Sequence, residues 1–233
     1  VVRIVGIAWA PAAVGACCLL AAAATELSPA QRLAATQARI GQLEADFHLC
    51  IAGAGEDGGD LEAVGHVWLG SGRRYRVEYR EPEPQLLISD GERRWMYLKT
   101  IEQVQIQPLP EKGQPSEFFL ELGGGLPRLI ARCRVSEVDA AGDDGGGETY
   151  RLEPRVGEKL GFARADVTLD PETALPRRVV VEAARTVSVT FTNTRSETRK
   201  ALAADPSRAF EEALFRFTPP PEAEVIEPLW TTP

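Results

Sequence analysis

Histidine is nearly missing from this chain. Of its 233 residues only His48 and His66 carry an imidazole. Two scattered histidines make neither a zinc cage nor a catalytic relay, and both fall in runs that read as strands, where packing or surface exposure accounts for them. Cysteine is almost as scarce: four residues, with no Cys-x-x-Cys and no Cys/His ligand spacing. A structural zinc site and a redox dithiol therefore find no support. No GxSxG, HExxH, phosphate loop or dinucleotide fingerprint occurs. Asp143 and Asp144 lie in a glycine-rich loop whose acidic spacing does not make a calcium cage. No metal, no cofactor and no enzymatic activity are expected. An excess of positive charge is missing too. The chain has 34 acidic against 26 basic residues, a net −8, which speaks against nucleic acid and anionic membranes as partners.

What the chain does have begins with its first 24 residues. One early cation, Arg3, precedes a long apolar run that ends in Ala22-Ala23-Ala24. This pattern reads as a secretory signal over 1–24, leaving 25–233 as a single domain. Two alternatives stand beside it. The run is about long enough to remain as a membrane anchor. Val14-Gly15-Ala16-Cys17 also loosely resembles a lipoprotein processing site, which would tie the chain to a membrane through an acylated Cys17. Export leaves Cys50 and Cys133 in an oxidising compartment, where they form either one disulfide or two separate buried thiols.

Beyond residue 25 the hydrophobic period separates helix from strand. Ser28-Pro29-Ala30-Gln31 is a helix start, with Ser28 as cap and Gln31 as its capping-box partner. Leu33, Ile40, Leu43 and Phe47 then recur at helical spacing, so the helix is expected to run toward Phe47 with a narrow apolar stripe. The period then becomes two. "RRYRVEYRE" alternates most cleanly: Tyr75, Val77 and Tyr79 on one side, Arg74, Arg76, Glu78 and Arg80 on the other. Asp90-Gly91 is a hairpin turn between two apolar runs. A short helix over about 115–122 and a further helical turn or two over 126–132 interrupt the strands. The runs "RVSEVDA", "TYRLEPR", "GFARADVTLD", "LPRRVVVEA", "TVSVTFTNTR" and a closing "LFRFTPPP" follow as strands.

The fold class is mainly β (α+β), with about ten or eleven strands and two or three helices. So few helices cannot cover a flat sheet of that width. A sheet curved on itself, unclosed, with the helices laid over its open side, buries the apolar faces.

The order of "GHVWLGSGRRYRVEYREP", "QLLISDGERRWMYLKTIEQVQIQPL", "GFARADVTLDPETALPRRVVVE" and "LFRFTPPPEAEVI" resembles the outer-membrane lipoprotein carrier protein (LolA) family over most of residues 28–226. The resemblance implies an unclosed antiparallel β-barrel with a helical lid over a hydrophobic cavity. It implies a monomeric periplasmic carrier that takes the acyl chains of lipoproteins from an inner-membrane ABC transporter to an outer-membrane acceptor. On that footing Trp68, Tyr75, Val77, Tyr79, Leu87, Trp95 and Tyr97 are expected to line the cavity, with Met96 and Leu98 as the alternative to Trp95 and Tyr97. Leu33, Ile40, Leu43, Phe118, Phe119 and Leu122 are expected on the lid. One departure stands out. The family's lid is held by an arginine before a turn proline, and Ser71 and Gly72 stand at those places here. Ser71 with Arg73 or Arg74 is the candidate replacement. Other readings of the same fold are a membrane-anchored acceptor, a lipid-sensing regulatory module, and a structural β protein with a solid core.

Overall fold

The computed structural model describes residues 27–55, 57–109, 126–139 and 146–227. Helix α1 (Pro29–Arg39) leads directly into β1 (Ile40–Ile51). Then come β2 (Leu61–Leu69), β3 (Arg74–Glu81), β4 (Gln85–Asp90), β5 (Arg93–Leu98) and β6 (Gln103–Pro108). Helix α2 (Leu126–Arg132) precedes β7 (Cys133–Val138), β8 (Thr149–Pro154), β9 (Arg164–Leu169), β10 (Pro176–Glu182) and β11 (Thr186–Thr198). Helix α3 (Arg199–Ala204) and two 3₁₀ turns, Pro206–Arg208 and Glu212–Phe215, lead to β12 (Glu224–Ile226). Among the described residues no helix is long and apolar enough to cross a membrane.

All twelve strands form one sheet, ordered β12-β6-β5-β4-β3-β2-β1-β11-β10-β9-β8-β7, and its two ends do not meet. Every pairing is antiparallel except that of β12 with β6. The mainly β, unclosed architecture is the one the patterning implies. The last strand is placed differently, because Leu214 and Phe215 of "LFRF" close a 3₁₀ turn over Glu212–Phe215 and the sheet edge is taken by Glu224–Ile226. An open sheet this wide does not stay flat, since strand twist rolls it over whichever side must be buried.

Helix α1 starts as its sequence dictates. Ser28 Oγ accepts from the Gln31 amide, and the Gln31 side chain accepts from the Ser28 amide. It ends at Arg39, well short of Phe47. Ile40 is already extended, at φ −70° and ψ 119°, so Ile40, Leu43 and Phe47 are residues of β1 and not of the helix. The helical spacing of 33, 40, 43 and 47 is broken by Gln37 and by Gly41, and glycine in a helix interior costs about 1 kcal/mol. Leu43, Ala45 and Phe47 instead follow the strand period, and all three are buried.

The two faces of the sheet have different covers. Ala45, Val67, Val77, Leu87 and Met96 stand opposite one another across β1 to β5. Tyr150, Val167, Val179 and Val189 make the matching row across β8 to β11. These side chains share one core with Leu33 of α1 and Leu126, Leu129 and Ile130 of α2. On the other face Trp68, Arg76, Ile88, Trp95 and Ile106 form a row. The segment after α3 lies over it. Phe215 there is 2% exposed, the Phe217 ring lies 5.9 Å from that of Tyr97, and Arg76 Nη1 donates to the Leu214 carbonyl at 3.5 Å. Gln42 fastens this segment, donating to Arg208 O and accepting from the Phe210 amide, both at 2.8 Å. Strand β4 therefore has cover on both sides, which explains its unbroken Leu86-Leu87-Ile88.

Cys50 on β1 and Cys133 on β7 are separate free thiols. Burial pushes the Cys133 thiol up to about 11. The Cys50 thiol is raised too, by burial first and by nearby Asp60 second. At mildly alkaline pH a maleimide is expected to label Cys50 of the native protein and to reach Cys133 only after denaturation, as peptide mapping would show. Gly65 is a second test of the packing. A Cβ there would stand 2.1 Å from the Glu78 carbonyl and 2.7 Å from the Phe47 ring. Gly65→Ala is expected to destabilise the fold by roughly 1–3 kcal/mol through overpacking, read as a lower urea midpoint.

Candidate functional site

The helix-covered face is an apolar surface whose core includes residues of α1 and α2. Tyr75, Val77, Tyr79 and Leu87, four of the residues expected to line it, come together there. Tyr75 and Val77 are 4% and 0% exposed. Tyr79 meets Phe47 edge-on, with ring centroids 5.3 Å apart, and burial pushes its phenol up to about 12.

The other three expected lining residues are elsewhere. Trp68, Trp95 and Tyr97 lie on the opposite face, where Tyr97 meets Phe217 of the C-terminal segment. Their places facing the helices are taken by Val67 and Leu69 on β2 and by Met96 on β5. Apolarity alone could not decide these strands. His66 and Trp68 alternate with two aliphatic residues, and Trp95, Met96, Tyr97 and Leu98 are all half-buried because both sides are covered. Pairing register settles the face: Met96 stands opposite Leu87, and Leu87 opposite Val77. The Trp68 ring instead packs on His66 at 4.2 Å.

Of the residues expected on the lid, Leu33 is fully buried on α1, whereas Ile40 and Leu43 belong to the sheet. Phe118, Phe119 and Leu122 lie outside the described residues. Helix α2 adds Leu126, Leu129 and Ile130, whose spacing was the signal for that helical turn but not for its contribution to the cover.

Helix α1 is fastened at its edge by polar contacts. Arg32 forms an ion pair with Glu137 of β7, and its Nε donates to the Tyr150 hydroxyl of β8 at 3.4 Å. That hydroxyl donates in turn to Glu148. The bond from Tyr150 raises the Arg32 guanidinium, while burial and then Glu148 raise the Tyr150 phenol. The candidate latch at the β2–β3 turn is arranged differently. Arg74 Nε and Nη2 donate to Ser71 O and Ser71 Oγ, each at 3.0 Å, and its guanidinium lies 5.5 Å over the Phe215 ring. Arg74 therefore closes its own turn and caps the C-terminal segment, on the face away from α1. Arg73 occupies the left-handed position of that turn, at φ 64°.

Comparison with known proteins agrees with this geometry. A family model described as outer membrane lipoprotein carrier protein LolA matches residues 54–205. The outer-membrane lipoprotein carrier protein of Chromohalobacter salexigens is 31% identical over 167 residues, which cover 70% of this chain and 75% of that one. That of Alcanivorax borkumensis is 29% identical over 169 residues, covering 71% and 72%. Among solved structures, an uncharacterized conserved protein from Thermus thermophilus aligns with a TM-score of 0.48 at 16% identity, over 84% of this chain and 95% of that one. With the family model spanning everything from the loop before β2 to the end of α3, the chain belongs to the outer membrane lipoprotein carrier protein LolA family.

Proposed function

We propose that this protein is a periplasmic carrier that shields the acyl chains of lipoproteins against the helix-covered face of its sheet. In this reading it receives them from an inner-membrane ABC transporter and delivers them to an outer-membrane acceptor. One observation carries the proposal. The apolar wall is closed by two short helices, α1 and α2, that pack on it and on each other, and α1 is tied at its rim by polar contacts.

The energetics suit a carrier. Each CH₂ moved out of water contributes about 0.8 kcal/mol, so a long chain buried in an empty cavity would hardly leave. Here the wall is already covered. Acyl carbons replace Leu33 and the α2 side chains, each of which loses about 1.5–3 kcal/mol of its own burial. The net gain is the difference, small enough for release. The proposed lining is Tyr75, Val77, Tyr79, Leu87 and Met96.

Arg32 takes the part of the lid latch. Its pair with Glu137 is about a third exposed on the arginine side and half exposed on the glutamate side, and such pairs are worth only about 0–1 kcal/mol. That holds a lid without locking it.

Titration with a fluorescent fatty acid and with a synthetic lipidated peptide tests the reading. Met96→Gln, which puts a polar group on the wall, is expected to weaken both by roughly tenfold. Trp95→Leu, on the far face, is expected to leave affinity within about twofold. The opposite result would put the site on the wrong side of the sheet, and no binding by wild type would end the carrier reading. Arg32→Ala is expected to speed uptake of the fatty acid by about twofold to fivefold, measured by stopped flow.

A further inference from the structure

One side chain on the inner face of α1 does not belong there on packing grounds. Gln37 follows Leu33 by one helical turn, and both are 0% exposed. Ala30 and Ala34 pack beside them against the same core. Neither Oε1 nor Nε2 of Gln37 has a hydrogen-bond partner among the described residues. Four other buried polar side chains have partners. Gln42 uses both ends of its amide, Thr149 and Thr168 bond each other at 3.0 Å, and Ser89 Oγ accepts from the Gly91 amide. A leucine would fill the Gln37 site at similar volume with no unpaired polar atoms. An unpaired amide fully buried in the lid is therefore a cost carried by the closed, empty form.

A hydrocarbon chain cannot relieve that cost, because it offers neither donor nor acceptor. The polar junction at which an acyl chain joins its cargo can, since it presents ester carbonyls as acceptors in otherwise apolar surroundings. We infer that Gln37 is a ligand-recognising residue whose side-chain amide donates to the ester carbonyls of the bound acyl groups. The inference rests on the carrier reading above and deepens it. Gln37 makes the site selective for acyl esters over plain hydrocarbon of the same length, because the unpaired amide gains its partner only in the loaded form.

Two synthetic lipopeptides with the same peptide and the same chain length separate the possibilities, one carrying ester-linked chains and the other ether-linked chains that lack the carbonyls. Wild-type protein is expected to bind the ester form about fivefold to thirtyfold more tightly. Gln37→Leu is expected to bring that ratio to about one while still binding the ether form. Equal binding of the two lipopeptides by wild type, or an unchanged ratio in Gln37→Leu, overturns the role of Gln37 and leaves the carrier reading standing. Failure of wild type to bind either lipopeptide removes the carrier reading and the inference with it. Thermal unfolding of the unloaded protein is an independent check. Gln37→Leu is expected to raise the Tm, and an unchanged or lower Tm would mean that the amide is already satisfied without ligand.

Discussion

The structure depends on one constraint: a wide sheet whose strands β4 and β5 are apolar on both sides must be buried twice there. Strands β4 and β5 cannot expose Leu87 and Met96 on one side, nor Ile88 and Leu86 on the other, without losing the burial that forms them. The protein meets this with two unlike covers. Helices α1 and α2 close one face. The chain after α3, fixed by Gln42 and carrying Phe215, closes the other. The two covers differ in how they are held. The C-terminal segment has backbone bonds to a 6% exposed glutamine and a buried phenylalanine at its centre. Helix α1 has one buried leucine, one unpaired buried amide and a rim ion pair. The two faces of one sheet are thus covered by elements held in different ways.

That asymmetry also separates what sequence patterning could read from what it could not. Strands with one wet side were legible. The alternation of Arg74 to Arg80 located β3 and its buried face, and Asp90-Gly91 fixed the β4–β5 hairpin, where Asp90 Oδ1 accepts from the amides of Glu92 and Arg93. The capping box of α1 was legible for the same reason, since it is a local pattern with a local cause. The faces of Trp68, Trp95 and Tyr97 were not legible, because His66 and Trp68 alternate with aliphatic residues and β5 is half-buried on both sides. Only pairing with β3, whose face was plain from its alternation, orients them, and pairing is a long-range fact.

The boundary between α1 and β1 was obscured by coincidence. Residues 33, 40, 43 and 47 satisfy a helical spacing, and 43, 45 and 47 satisfy a strand. The residues that decide between them are the polar Gln37 and the glycine at 41, where a side chain would meet Leu202 and the Arg199 amide. The family resemblance carried the overall architecture correctly. Residues near the β2–β3 turn of this chain hold that turn and the C-terminal segment, while the contacts across α1 come from Arg32, a residue of the helix itself.

Because Arg39 ends α1 and Ile40 begins β1, no linker separates the plug from the wall. The helix is thus covalently continuous with a strand in the middle of the sheet, where β1 lies between β2 and β11. Any reorientation of α1 on the sheet is thereby confined to the peptide units of that junction.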